Sequence, residues 1–205
     1  MRRGAVILAA GAGMRLGGVA KALLAAGGGR TFLAKILATA RAVGLDHAIV
    51  VVGPPFADQV SAHARELGAV IVVNDHPEQG MASSVALGFH AIAGTGPKVE
   101  GPGFTPGPEI DAAWLWPVDH PDVVEATLRA LIAALGEHAA ARPVVGGRGG
   151  HPPLISRALW PQLAACADAP AGARSVLVEA DVVDLEVTDE GCVRDVDTAV
   201  DVEKL

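Results

Sequence analysis

The segment from Leu8 to Leu24, Leu8-Ala9-Ala10-Gly11-Ala12-Gly13-Met14-Arg15-Leu16-Gly17-Gly18-Val19-Ala20-Lys21-Ala22-Leu23-Leu24, combines several glycines with two cations, Arg15 and Lys21. Backbone N–H groups in a loop that follows a strand can wrap a phosphate chain; glycines let the backbone approach closely and the cations add charge. A glycine-rich turn with two solvated cations has the same composition. Two other phosphate loops do not fit. A P-loop ends in Gly-Lys-Ser/Thr, and Ala22 follows Lys21 here. A dinucleotide fingerprint needs glycine where Leu16 stands, and no acidic residue sits near 33–35 to hold a ribose.

Asp119 follows Trp114-Leu115-Trp116-Pro117-Val118, at the expected carboxyl end of a central strand. A carboxylate there is a hard oxygen ligand suited to Mg²⁺, or the N-cap of a helix starting near Pro121. Gly80-Met81-Ala82-Ser83-Ser84 precedes a helix, so its hydroxyls and N–H groups either meet a ligand or cap the helix. His120 stands beside Asp119, and its imidazole either bonds a phosphate or points into the core. His151 lies in a Gly/Pro loop, and Asp197-Thr198 has the spacing of a helix N-cap.

Alternating apolar runs and amphipathic stretches must position these groups. Strands are expected at Gly4–Ala9, Ala48–Val52, Ala69–Val73, Ala112–Pro117 and Pro143–Val145. Helices are expected at Thr31–Val43, Phe56–Leu67, Ser83–Ala93 and Asp122–Leu135. Phe32, Leu33, Ile36 and Leu37 form a buried stripe, and Trp114 and Trp116 share one face of a strand and belong to the core. Strands apolar on both faces imply a mostly parallel sheet covered on both sides, an α/β/α three-layer domain with its site at the carboxyl ends of the strands. The single domain spans 1–205, with a first half to 93, a Gly/Pro-rich insertion at 94–110 and a second half at 111–205. The insertion reads as a surface loop, and after Gly150 the pattern loosens into what reads as a subdomain on the sheet edge.

Of the 205 residues, 51% are hydrophobic and 19% charged, which excludes general disorder. A net charge of −7 with 3% aromatics argues against a nucleic-acid partner, which would need a basic face and stacking platforms. Cys166 and Cys192 form no metal pattern and read as reduced core thiols of a cytoplasmic protein. The apolar stretch after Arg2-Arg3 is too short for a signal peptide, and no run approaches the roughly 18 apolar residues of a membrane span.

With Leu8–Leu24 in view, the loop resembles the L-A-A-G-x-G-x-R-x-G-x-x-K-x-L signature of nucleotidyltransferases with a GT-A-like fold, a nearly complete match. Within that superfamily the chain looks like the MobA-like, and especially MocA-like, branch that nucleotidylates the molybdenum cofactor. Pro117-Val118-Asp119-His120-Pro121, Gly150-His151-Pro152-Pro153-Leu154, Asp195-Val196-Asp197-Thr198, Gly80–Ser84 and Gly172-Ala173-Arg174 support it, so the resemblance covers almost the whole chain.

The resemblance implies a Rossmann-like GT-A fold and attack of an acceptor's phosphate on the α-phosphorus of a nucleoside triphosphate. The acceptor carries its own nucleophile, so no triad is needed, and Mg²⁺ with cations stabilises the charge. Arg15, Lys21 and Asp119 are the implied catalytic residues. Leu8, Ala9, Ala10, Gly11, Gly13, Arg15, Lys21, Gly80, Met81, Ser83 and Ser84 would bind the nucleotide. His120 and His151 would face the acceptor, and Asp119 with Asp197 (Asp195 as the fallback) would hold Mg²⁺. Ala199-Val200 replaces the family's usual Pro-Glu, and His120 departs from its usual residue at that position. In the resembled branch the Ala-Ala-Gly form of the loop goes with CTP and a molybdopterin acceptor, and a molybdoenzyme would be the client. Another phosphorylated acceptor, GTP, or a non-catalytic cofactor carrier are the alternatives.

Overall fold

The computed structural model describes residues 1–95, 110–198 and 201, with the side chain of Arg15 outside that description. Residues 96–109 of the expected insertion, 94–110, therefore lie outside the described residues.

Among the described residues eight strands form one sheet: β1 (Arg3–Ala9), β2 (Leu45–Val52), β3 (Val70–Val73), β4 (Ala112–Pro117), β5 (Ala140–Val145), β6 (Arg148–Gly149), β7 (Leu154–Ser156) and β8 (Val182–Glu186). The order is β3-β2-β1-β4-β7-β5-β6, with β8 on the other edge of β5. β1/β2, β2/β3, β1/β4 and β5/β8 are parallel, whereas β7 runs antiparallel to both β4 and β5. The chain moves outward from β1 to β2 and β3, then returns to place β4 on β1's other side. The carboxyl ends of β1 and β4 thus flank a topological switch point, where an open α/β sheet leaves a crevice.

Among the described residues six helices cover the two faces: α1 (Phe32–Ala42), α2 (Ala57–Glu66), α3 (Met81–Ala93), α4 (Glu125–Leu135), α5 (Trp160–Ala164) and α6 (Ala173–Glu179). Strand alternation sends Ala5, Ile7, Trp114 and Trp116 into a core under α1, α2 and α4, and Val6, Leu8, Ala113 and Leu115 into one under α3 and α5. The expected stripe Phe32, Leu33, Ile36 and Leu37 is fully buried, as are both tryptophans of β4. The helix α1 opens on Thr31, whose hydroxyl accepts from Ala34 N at 3.1 Å, and Gly44 follows it at φ +84°.

Three element starts differ from expectation by three residues, each for a tertiary reason, and the other ends by no more than two. β2 begins at Leu45, three residues early, because Asp46 accepts the Arg3 N–H of β1 at 2.8 Å. α4 begins at Glu125, three residues after Asp122. Its N-terminus is capped from afar by Asp189, which accepts from Val124 N at 2.9 Å and Thr127 Oγ1 at 2.7 Å. β5 begins at Ala140, where β7 and β8 pair with it from either side. The expected subdomain after Gly150 is a correction: Leu154–Ser156 enters the main sheet between β4 and β5. Three residues are too short for periodicity to reveal a strand that two long neighbours stabilise.

Candidate active site

Leaving β1, the chain turns at Gly13 (φ +57°), makes a 3₁₀ turn over Met14–Leu16, passes Gly17 and Gly18 in the left-handed region, and makes a second turn over Lys21–Leu23. Gly13 is needed twice over. Its φ is one that a side chain resists, and a Cβ there would lie 2.1 Å from the Val19 carbonyl oxygen. Gly13 O accepts from Leu16 N at 2.9 Å and Gly18 N at 3.0 Å, closing the loop on itself. Ala22 is buried, which fixes the backbone of Lys21 at the floor of the cleft.

From that floor Lys21 Nζ donates to Asp119 Oδ2 at 3.0 Å and to Asp197 Oδ1. All three side chains are mostly buried. Burial alone would lower the Lys21 pKa, but the two carboxylates outweigh it and hold the pKa above the usual lysine value. Asp119 sits on the turn after β4. Its carbonyl accepts from Val196 N at 2.9 Å, which pins the segment carrying Asp197 beside it. Thr198 and Asp201 form a reciprocal cap: Asp201 Oδ2 accepts from Thr198 N at 2.8 Å, and Asp201 N donates to Thr198 Oγ1 at 3.3 Å. The cap role suggested for this stretch is thus filled by Thr198, while the Asp197 carboxylate faces Lys21.

A cleft of about 350 Å³ opens above the trio. Its walls are Leu8–Met14, Lys21, Pro77, Gly80, Met81, Ser84, Pro117–Asp119 and Asp197. Leu8, Ala9, Ala10, Gly11, Gly13, Lys21, Gly80, Met81, Ser84, Asp119 and Asp197, all singled out from the sequence, therefore share one space. Arg15 lies outside the described side chains. Asp195 is exposed and outside the cleft lining.

Ser83 and Ser84 divide. Asn74 Nδ2 donates to both hydroxyls at 2.9 Å, and its Oδ1 accepts from His76 N at 3.0 Å. Ser83 spends its own proton on Gly80 O at 2.8 Å and does not line the cleft. Ser84 lines it with no acceptor for its proton among the described residues, so its hydroxyl is left as a donor. Asn74 is a residue the sequence reading missed. Its signal was available, as a polar residue directly after the buried strand β3, at the sheet's carboxyl edge.

The histidines are placed differently from one another. His120 is buried, lines neither this cleft nor its neighbour, and bonds Gly191 O through Nδ1 at 3.2 Å. Its ring lies 5.0 Å from that of His151. His151 lines a second cavity of about 750 Å³, with Arg142, Gly150 and the Ala171–Arg174 stretch. Leu8, Gly80, Met81 and Pro117 belong to both cavities, so the two adjoin. Arg142, also missed from the sequence, is held by Asp184 through two bonds of 2.8 Å.

Burial pushes His151 down to about 4, with the neighbouring His120 adding to the effect against the Asp119 charge and a bond to the Leu115 backbone. A histidine depressed in the fold contributes stability above its unfolded pKa near 6.5 and loses it as pH falls toward 4. Stability should accordingly fall by roughly 3 kcal/mol across that window from this group. Urea midpoints of wild type and His151→Gln at pH 7 and pH 4.5 measure it; equal pH dependence in the two proteins would refute the assignment. Burial likewise raises both thiols, Cys192 to about 12 with the help of Asp189, as expected of unreactive core cysteines.

A glycine loop, a lysine and two carboxylates thus meet at the switch point of a mostly parallel sheet. Residues 5–183 match the MobA-like NTP transferase domain, and the chain belongs to that family of nucleotidyltransferases. It is similar to Rv0371c from Mycobacterium tuberculosis H37Rv, at 27% identity and a TM-score of 0.77, covering 100% of this chain and 97% of that one. The manganese complex of Rv0371c aligns at 24% identity and a TM-score of 0.72, over 100% and 98% of the two chains. Molybdopterin-guanine dinucleotide biosynthesis protein A from Archaeoglobus fulgidus shares the fold, at 13% identity and a TM-score of 0.65, over 98% and 95%. No curated protein matches the chain. No helix among the described residues is long and apolar enough to cross a membrane.

Proposed function

We propose that the protein transfers CMP from CTP to the terminal phosphate of molybdopterin, releasing pyrophosphate. The observation that carries this reading is Lys21 between Asp119 and Asp197 beneath the glycine loop. Asp119 and Asp197 present hard oxygens to one point, a donor set that suits Mg²⁺ or Mn²⁺. Among the described residues no group of three or more His, Cys, Asp or Glu is arranged to hold a metal ion, so phosphates and water would complete such a shell. The manganese complex known for Rv0371c is in keeping with a divalent ion here. When bound, that ion supplies positive charge to the phosphate oxygens.

The remaining work falls to this chain's own residues. The loop N–H groups at Ala10–Gly13, with Lys21 and Arg15, hold the triphosphate. Gly80, Met81 and the Ser84 donor face the nucleoside. An acceptor phosphate oxygen attacks the α-phosphorus, the bond to the β-phosphate oxygen breaks, and the pyrophosphate departs against the cations. The acceptor would lie in the adjoining cavity, whose volume suits a bulky acceptor and whose wall carries Arg142, Arg174 and His151. His120 would act from behind His151 and Asp119 and not by contact. The Leu8-Ala9-Ala10-Gly11 form of the loop favours CTP over GTP. The buried, unreactive thiols fit a reducing cytoplasm, and a molybdoenzyme would receive the product.

Ser84→Ala should raise KM for the nucleotide several-fold, the equivalent of about 1 kcal/mol for one hydrogen bond, with kcat nearly unchanged. Steady-state kinetics at varied CTP checks it; an unchanged KM removes Ser84 from the nucleotide site. The function itself is tested by thermal unfolding with CTP, GTP, ATP or UTP, each with and without Mg²⁺, on wild type and Asp119→Ala. Pyrophosphate release with molybdopterin follows. A nucleotide at 100 times its Kd stabilises the native state by about 2.7 kcal/mol. A Mg²⁺-dependent shift for CTP, lost in Asp119→Ala, is the expected result. A shift for GTP alone would replace the nucleotide, turnover of a sugar phosphate would replace the acceptor, and pterin binding with no nucleotide shift would mean a carrier.

A further inference from the structure

We propose that Lys21 is a built-in competitor for the divalent cation, its ammonium filling the position between Asp119 and Asp197 until a triphosphate draws it away, so that the metal enters with the nucleotide and not before it. This rests on the metal assignment made above and concerns the order in which that site fills.

The geometry is restrictive. Lys21 Nζ bonds one oxygen of Asp119 and one of Asp197 at once, and a hard divalent ion would use these same lone pairs at about 2.0–2.1 Å. Ammonium and metal cannot both lie inside that gap, because the two cations would repel at close quarters in a mostly buried site. Asp119 and Asp197 are also held in place. Val196 N bonds the Asp119 carbonyl, and Thr198 and Asp201 cap each other next to Asp197. The carboxylates therefore cannot easily separate to admit a second cation.

Lys21 is the movable member. Buried Ala22 fixes its backbone, but its four-carbon stem rotates freely between alternative acceptors. The cleft wall at Ala10–Gly13 adjoins it, so a triphosphate seated there would offer the ammonium new oxygen acceptors. The exchange brings the pair of carboxylates from a net charge of −1 with the ammonium to neutrality with the divalent ion. By linkage, nucleotide and metal must each raise the other's affinity.

Mn²⁺ binding, read from the loss of the free-ion electron paramagnetic resonance signal, tests this on the full chain without nucleotide. Lys21→Met should bind Mn²⁺ roughly tenfold or more tightly than wild type, within the range of ordinary coupling free energies. Lys35→Met removes the same charge from a neighbouring pair with Asp122 and should change the affinity by less than about twofold, a general-charge effect at partial exposure. Adding α,β-methylene-CTP should raise Mn²⁺ affinity in wild type by a larger factor than in Lys21→Met. Lys21→Gln serves if the Met variant does not fold.

Equal or weaker nucleotide-free Mn²⁺ binding in Lys21→Met overturns the proposal, as does an equal gain in Lys35→Met. Tight binding that persists in Lys21→Met/Asp119→Asn would place the ion elsewhere and overturn the metal assignment with it. A tenfold gain in Lys21→Met, lost in that double variant, together with a wild type that releases no pyrophosphate from any nucleotide, would uphold the competition while refuting nucleotidyl transfer.

Discussion

Lys21→Ala should lower turnover by about 10²- to 10³-fold, the usual effect of removing one preorganised charge aimed at a developing negative charge. In the transfer reaction that charge develops on the departing pyrophosphate. The ammonium is poised at the cleft floor by two carboxylates, 98 and 176 residues away in sequence. On the proposed role, in which it acts mainly in the transition state, kcat should fall with kcat/KM while KM changes less. The resemblance implies a similar role for Arg15, and on that reading Arg15→Ala should slow turnover in the same sense. The fold should survive the Lys21 change, with Asp119 and Asp197 left facing each other and drawing water or a cation. Since the Lys21 pKa is raised, its contribution to stability is complete below about pH 10 and lost only as pH rises through the folded value. Pyrophosphate release at saturating CTP, beside circular dichroism, measures both effects. Wild-type turnover in the variant would remove Lys21 from the chemistry.

Trp116→Ala should destabilise the protein by about 3–5 kcal/mol, the cost of deleting a fully buried aromatic from a packed interior. Set against the roughly 5–15 kcal/mol that holds a typical domain folded, that is a large fraction. Trp116 stands in the central strand β4, and its ring joins the core under α1, α2 and α4. Its indole N–H also donates to His120 O at 2.9 Å, tying the turn that presents Asp119 to the core. Trp116→Phe keeps most of the ring contact and loses this bond, so it should lose less stability yet still slow turnover by loosening Asp119. Urea unfolding should show a lower midpoint at unchanged slope for both variants. A loss under about 1 kcal/mol in Trp116→Ala would mean that the core closes over the space.

The same turn and its surroundings separate what was local from what was not. Asp122, read from the sequence only as the start of a helix, accepts from Lys35 at 2.6 Å and from Arg194, joining α1, the turn after β4 and the segment leading to Asp197. Burial would raise its pKa, but these two cations together hold it below the ordinary carboxylate value. The cap of α4 by Asp189 and the pin of both serines by Asn74 are of the same kind. Each depends on a partner that only folding brings near.

By itself the sequence determined the strands and helices with strong periodicity, their division into a covered, mostly parallel sheet, and the positions of the glycine loop and Asp119 at strand ends. Those features follow from side-chain alternation, helical repeat and glycine's access to positive φ, all properties of residues a few positions apart. Tertiary structure alone decided that Leu154–Ser156 joins the sheet and that a second cavity adjoins the first. It also decided that His120 turns inward, and that Asp197 and Asp119 meet on Lys21. Their distances apart in sequence carry no period, and only the closing of the sheet at its switch point brings three charges to one place.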